Sequence, residues 1–163
     1  MMSSNIIKLI RPWQWLKNVF VFIPMFFGGS LLDPSDIRAS VLTFMAYSLM
    51  ASSVYCFNDI NDVEADRRHP VKCRRPLASG ALPLASAWVV MALMLVLAAA
   101  VVTMLGDMQR AFRVGGVLLF YYVMNLCYCA RLKQYAIVDV CVVAFGFVLR
   151  VLAGGYATDI VPS

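Results

Sequence analysis

Five stretches of this chain, roughly residues 13–32, 37–57, 82–104, 111–130 and 136–157, are each long and apolar enough to cross a bilayer. A spanning helix needs about 20 mostly apolar residues, about twice the length of a spanning β-strand. Inside hydrocarbon every backbone N–H and C=O must find an intramolecular partner, which leaves helices and closed barrels as the only options. The stretches lack the alternation of a barrel strand. The expected class is therefore all-α: a polytopic bundle of five transmembrane helices in one membrane domain, residues 1–163. Composition agrees, since 62% of the residues are hydrophobic and 14% charged, against about 25% charged in a soluble domain. The unit from Trp13 to Leu32 is too long for the apolar region of a secretory signal, and no small-residue cleavage site follows it.

Cations sort the loops between the two membrane faces. Lys8, Arg11, Lys17, Arg67, Arg68, Lys72, Arg74, Arg75, Arg131 and Lys133 fall on one side, and Arg38, Arg110 and Arg113 on the other. Ten against three places the N-terminus and the loop after the second span on the cytoplasmic side of the cell (inner) membrane. The net charge of +5 follows from that topology. No basic stripe alternates with exposed aromatics, so nucleic acid is not an expected partner; membrane lipid is. The five cysteines have no zinc spacing and read as small hydrophobes.

Local signals punctuate the spans. Pro12 suits a first helical turn, and Trp13 and Trp15 fit an interfacial aromatic belt. Pro24 predicts a kink in the first span. Asp33 or Ser35 is the expected cap of the second. Pro83 starts the third, Gly106-Asp107 turns into the fourth, and the fifth is expected to end near Gly154-Gly155.

Chemistry concentrates where the second span meets its loop. Residues 58–66 read Asn-Asp-Ile-Asn-Asp-Val-Glu-Ala-Asp. Asp59, Asp62 and Asp66 are spaced three and four apart and would share one face of a continuing helix. Acids at a helix C-terminus oppose the macrodipole, at about 0.3–1 kcal/mol each when exposed. Arg67 or Arg68 could offset them by pairing, and a divalent cation would do so better. Carboxylates plus the Asn58 amide make an all-oxygen donor set that favours Mg²⁺, which takes one or two carboxylates and completes its shell with phosphate and water. The plainer alternative is a solvated acidic-basic loop that anchors the helix end.

The loop continues His-Pro-Val-Lys-Cys-Arg-Arg-Pro-Leu-Ala-Ser-Gly, residues 69–80. Arginine forks grip phosphate oxygens and lysine acts as a point charge, so Lys72, Arg74 and Arg75 are phosphate candidates. Alternatively they only obey the positive-inside bias. His69 reads as a cap for the turn before Pro70 rather than a base. Arg150 is the sharpest outlier, near the middle of the fifth span, where a charge costs at least about 2.5 kcal/mol. Asp139 lies three turns earlier on the same face, about 16 Å away along the axis. Either the two line one cavity, or Arg150 meets a structural partner on another helix. Lys17 and Asn18 sit at the cytoplasmic depth of the first span, where Lys17 either snorkels or lines the same cavity, and Asn125 and Tyr128 could join it. An ion path through a transporter is a rival reading, but a path would spread polar groups across the bilayer instead of gathering them at one rim.

The motif Asn58-Asp59-x-x-Asp62-x-x-x-Asp66 at the end of a second membrane helix resembles the first Asp-rich motif of the UbiA superfamily of membrane prenyltransferases. Arg-Pro-Trp-Gln-Trp-Leu-Lys-Asn at 11–18, the run from Asp62 to Gly80, and two stretches within 132–155 resemble its decaprenyl-phosphate phosphoribosyltransferase-like branch. The resemblance implies a nine-helix fold of which this chain holds the first five helices, with a second substrate motif outside it. It implies that Asn58, Asp59, Asp62 and Asp66 bind Mg²⁺, the three aspartates being catalytic. It implies that Lys72, Arg74 and Arg75 hold phosphate groups, with Lys17, Asn18, Asp139 and Arg150 in further substrate-binding stretches. The implied reaction moves phosphoribosyl from phosphoribosyl pyrophosphate to a polyprenyl phosphate. The alternatives are transfer of a polyprenyl group from its diphosphate to an aromatic acceptor such as 4-hydroxybenzoate, and a non-catalytic membrane fragment.

Overall fold

The computed structural model describes residues 2–132 and 134–160, with only the backbone of Ala136; Lys133, counted above among the cations, lies outside them. Its elements in chain order are α1 (Met2–Ile10), a 3₁₀ segment (Pro12–Phe22), α2 (Ile23–Phe27), α3 (Pro34–Asn61), α4 (Val63–Arg68), a 3₁₀ turn (Lys72–Arg74), α5 (Leu84–Thr103), α6 (Met108–Cys127), a π turn (Tyr128–Leu132) and α7 (Ala136–Thr158). Among the described residues four helices are long and apolar enough to cross a membrane: α3, α5, α6 with its π turn, and α7. The protein is an integral membrane protein with an all-α fold.

The first expected span departs from a single helix, because residues 13–32 hold the 3₁₀ segment and the short α2 instead. Pro24 accounts for the break, since it supplies no N–H and its ring crowds the carbonyl a turn earlier. A 3₁₀ helix rises about 2.0 Å per residue against about 1.5 Å for α. The two pieces therefore still reach about 30 Å, the thickness of the hydrocarbon layer.

α3 is the central helix, packed against α5, α6, α7, α1 and the 3₁₀ segment. Its buried residues are mostly small: Ala39, Ser40, Thr43, Ala46, Ser48, Ala51, Ser52 and Ser53. Between membrane helices, where water provides no drive to associate, small side chains gain attraction by letting backbones approach closely. α5 takes the opposite role, with Val89, Leu93, Val96 and Leu97 exposed. One apolar core joins Tyr47, Ala51 and Val54 of α3 to Leu118 and Tyr121 of α6 and Leu149 and Ala153 of α7. A second, near the Asp59 end, joins Leu9 of α1 to Cys56, Leu77 and Leu82.

Several caps match the local signals. Asp33 Oδ1 accepts from Ser35 N at 2.8 Å and caps α3. Asp107 Oδ1 accepts from Gln109 N at 3.1 Å and caps α6, and Pro83 precedes α5. Gly154 does not end the last helix, which continues to Thr158. Its lack of a side chain serves packing: a Cβ there would run into the Val21 carbonyl of the 3₁₀ segment. The same close approach brings Asn18, one turn before Val21, against α7.

Candidate active site

The acidic motif crosses a helix junction. α3 ends at Asn61, Asp62 takes φ −96° and ψ 1°, and α4 begins at Val63. Helical bonding nearly carries through, with Asp62 N donating to the Asn58 carbonyl at 3.0 Å and Asp66 N to the Asp62 carbonyl at 2.8 Å. The expected continuous helical face is therefore bent at Asp62.

Asp59 and Asp66 are both buried, at 2% and 3% exposure, and both face Arg75. Arg75 Nη1 donates to Asp59 Oδ1 at 3.2 Å and to Asp66 Oδ2 at 2.7 Å. Arg11 Nη2 reaches the same Asp59 Oδ1 at 2.5 Å. Two guanidinia, from opposite ends of the sequence segment, thus supply the countercharge that the helix end requires. The expectation that Arg67 or Arg68 would pair with the motif's aspartates is corrected for Arg67, which reaches Glu64 at 2.6 Å on the exposed side of α4. A cation three residues along a short helix meets its own face, whereas Arg75 folds back from beyond the Lys72–Arg74 turn.

Asp62 is half-buried at the junction, and Asn58 Oδ1 accepts from the Cys129 thiol at 3.4 Å. Among the described residues no three of His, Cys, Asp and Glu converge as a ready metal cage. Two buried carboxylates do converge on one cationic atom. Their oxygen-only chemistry and shared countercharge fit an ion that takes one or two carboxylates from the protein.

Two cavities take in most of the other residues singled out from the sequence. The outer one, about 390 Å³, is lined by Lys8, Arg11, Asp59, Lys72, Arg74 and Arg75, with Trp13 and Val71 among its apolar contacts. The inner one, about 190 Å³, is lined by Lys17, Tyr55, Tyr121, Asn125, Tyr128 and Arg150, with Val54, Val142, Val143 and Phe147. The residues singled out from the sequence are thereby divided: Lys72, Arg74 and Arg75 stand at the outer cavity, Lys17 and Arg150 at the inner. Asp139 lines neither. It is exposed and accepts from Tyr128 Oη at 2.6 Å. Asn18, fully buried, accepts from Arg150 Nε at 2.8 Å and donates to Ser48 Oγ at 2.9 Å. His69 caps its turn, its Nδ1 accepting from Val71 N and Lys72 N at 3.2 Å.

A family profile described as the UbiA prenyltransferase family matches residues 19–162. The chain belongs to that family. It is 40% identical over 161 residues to a decaprenyl-phosphate phosphoribosyltransferase of Mycolicibacterium smegmatis, covering 96% of this chain and 49% of that protein. It is 38% identical over 161 residues to the protein of that name from Mycobacterium tuberculosis, covering 96% and 52%. The chain thus spans about half the length of these relatives. Its fold is similar to a UbiA homolog from Archaeoglobus fulgidus bound to DMAPP and Mg²⁺, with a TM-score of 0.78, 20% identity, and 98% of this chain and 56% of that one covered.

The role of Arg11 was hidden from sequence reasoning, which counted it as a cytoplasmic cation and as the start of the 11–18 stretch and gave it no partner. Arg11 adopts a left-handed backbone, φ 51° and ψ 62°, a conformation costly for a residue with a Cβ. Pro12 forces the helix to restart there, and the guanidinium gains Asp59 and the face of the Tyr55 ring, 5.3 Å away. Only the Arg-Pro dipeptide hinted at a boundary. Tyr55 and Tyr121 were likewise masked by the apolar runs that contain them.

Proposed function

We propose that this chain builds the diphosphate end of a Mg²⁺-dependent transferase, active at the cytoplasmic face of the membrane, that moves phosphoribosyl from phosphoribosyl pyrophosphate to a polyprenyl phosphate. The observation that carries the reading is the pair of buried carboxylates, Asp59 and Asp66, sharing Arg75 beside a cationic pocket. The relatives' names favour phosphoribosyl over a prenyl group as the unit transferred.

In this reaction an oxygen of the lipid phosphate attacks ribose C1, and diphosphate departs with the electron pair of the C1–O bond. Lys72, Arg74 and Arg75 hold the diphosphate oxygens, the arginines by their forked donors and the lysine as a point charge. Arg11, placed over the Tyr55 ring, lines the same pocket and shares Asp59 Oδ1 with Arg75. Asp59 and Asp66, with Asp62 and Asn58 beside them, would hold Mg²⁺, which supplies charge neutralisation for the departing diphosphate. Burial of the two carboxylates keeps their charge from being screened by water, so it acts at short range on whatever cation they hold.

Transfer of a polyprenyl group to an aromatic acceptor is the second reading; a protein of this fold from Archaeoglobus fulgidus is bound to DMAPP, a prenyl diphosphate, and Mg²⁺. It uses the same diphosphate end and differs in the carbon attacked. A product assay separates the two. The full-length gene product is given radiolabelled phosphoribosyl pyrophosphate with polyprenyl phosphate and Mg²⁺, then labelled prenyl diphosphate with 4-hydroxybenzoate. Lipid-extractable label is expected in the first arm only, and Asp59→Ala is expected to lower it at least 100-fold. Label in the second arm alone replaces this reading with aromatic prenylation. Label in neither leaves a non-catalytic membrane protein.

A further inference from the structure

Arg150 is a cation that the rim chemistry leaves unused. It is 6% exposed, midway along α7. Its Nε donates to Asn18 Oδ1 at 2.8 Å and its Nη1 to the Gly146 carbonyl at 2.6 Å. The guanidinium lies 5.0 Å from the Tyr47 ring centre, 5.5 Å from that of Tyr121 and 5.3 Å from that of Phe147. Amide, carbonyl and ring are dipoles and quadrupoles, and none cancels a full charge. Among the described residues the ion pairs engage Arg11, Arg67, Arg75, Arg110 and Arg113, not Arg150.

The inner cavity opens beside this guanidinium, and Lys17 adds a second cation to its wall. Among the described residues no carboxylate lines it. Asp139, the acid within α7, is exposed and engaged by Tyr128, and the helix's C-cap, Asp159, pairs with Arg110 and Arg113. Tyr55, Tyr128 and Asn125 also line the cavity; Tyr128 Oη is engaged by Asp139 and Asn125 Nδ2 donates to the Tyr121 carbonyl, so the charge on its wall comes from Lys17 and Arg150. Val142, Val143 and Phe147 make the remaining wall apolar. Two cations beside an apolar wall suit an anionic head group attached to an apolar chain, and they disfavour a cation.

We infer that the inner cavity binds a phosphate monoester, that of the acceptor lipid, through Lys17 and Arg150. The inference rests on the transferase reading and adds to it that donor and acceptor enter different pockets. The donor diphosphate occupies the outer cavity and the acceptor phosphate the inner one. Arg11 and Tyr55 form the partition, since Arg11 lines the outer cavity and stacks on Tyr55, which lines the inner. The reacting atoms meet at that partition.

The test uses the full-length protein in nanodiscs and four probes: polyprenyl phosphate, the polyprenol of the same length, phosphoribosyl pyrophosphate with Mg²⁺, and inorganic phosphate. Arg150→Gln and Lys17→Gln are each expected to weaken polyprenyl phosphate binding at least tenfold, with Arg150→Lys recovering part of it. Polyprenol is expected to bind weakly to every variant, and phosphoribosyl pyrophosphate to all within twofold of the parent. If the variants instead lose phosphoribosyl pyrophosphate, or inorganic phosphate competes with it there, the cavity takes the donor's phosphate and the assignment is overturned. Unchanged lipid binding in Lys17→Gln, whose exposed side chain makes misfolding no excuse, also overturns it. A parent protein that binds neither substrate sinks the transferase reading itself, whereas one that binds both with no effect of these variants sinks only the subsite.

Discussion

Arg75 and Arg150 sit at two depths of the same bundle, and their charges are met in different ways. Arg75, at the rim, is shared by two buried carboxylates. Arg150, in the interior, is held by an amide, a carbonyl and three rings. The charge of Arg75 is thus met by carboxylates, whereas among the described residues that of Arg150 is met only by dipoles and rings. A charge that the protein neutralises itself can act structurally and be exchanged for another cation. One that it leaves unneutralised in a low-dielectric setting is costly, and that cost is recovered when an anion arrives. The comparison divides the residues by work: the rim trades cations, and the interior receives an anion.

The sharpest way to break this division is Arg75→Met. Removing one partner of a buried ion pair costs about 3–5 kcal/mol, because the remaining charge is stranded. Arg11 still covers Asp59, but Asp66 loses its ion pair with Arg75, so a loss at the lower end, about 3 kcal/mol, is expected. Millimolar Mg²⁺ should restore part of it by taking the vacated place between the carboxylates. Thermal melts of the purified protein with and without Mg²⁺ check this. A loss that Mg²⁺ does not touch would mean that the carboxylates do not exchange one cation for another.

Gly154→Ala tests how the interior is assembled. The added Cβ meets backbone, the Val21 carbonyl, and backbone cannot swing aside as a side chain can. A destabilisation of about 1–3 kcal/mol is expected from overpacking. The same shift moves Asn18 away from Arg150, so the melt should be unresponsive to Mg²⁺. A Mg²⁺-dependent melt in this variant would show that the two depths are coupled and not separate.

What the sequence disclosed and what it hid divides along similar lines. Spans, caps and the acid spacing were legible because each depends on residues within a turn or two of one another. Asp33, Asp107 and Pro83 stand at helix starts for local reasons. Asp59 and Asp66 face together because seven residues make nearly two turns. The partners of those acids were not legible. Arg75 returns to them across a loop and Arg11 across most of α3, and no periodicity encodes either pairing. Arg150 was conspicuous as a charge in an apolar run, yet its partner Asn18 is 132 residues away in sequence. The segmented first span was half legible: Pro24 announced a break, and nothing announced that a 3₁₀ segment would precede it.

Arg150→Met should differ from Arg75→Met in its indifference to Mg²⁺, since only Arg75 is paired with carboxylates. It forfeits two charge-assisted hydrogen bonds, about 1.5–3 kcal/mol each, and ring contacts worth about 0.5–2 kcal/mol. It also relieves a charge whose cost in the membrane interior is at least about 2.5 kcal/mol, and a methionine fills the space adaptably. Part of the loss is offset, leaving a net of about 1–5 kcal/mol with no Mg²⁺ dependence. Complete unfolding of this variant would make Arg150 a structural residue and remove the contrast with the rim.

The smallest effect belongs to Arg67→Ala. Arg67 carries the same charge as Arg75, is eight residues away in sequence, and also makes a short ion pair, 2.6 Å to Glu64. Both members of that pair are open to solvent, with side-chain exposures of 51% and 70%, where water and salt screen the attraction and side-chain entropy opposes it. The expected stability change is under about 0.5 kcal/mol, with phosphoribosyl pyrophosphate binding unchanged. If Arg67→Ala weakened Mg²⁺-dependent binding as much as Arg75→Met, then charge near the rim, and not the burial of a shared carboxylate pair, would govern the site. The two arginines share a charge and a short ion pair and differ in burial, in the number of carboxylates met and in access to the outer cavity.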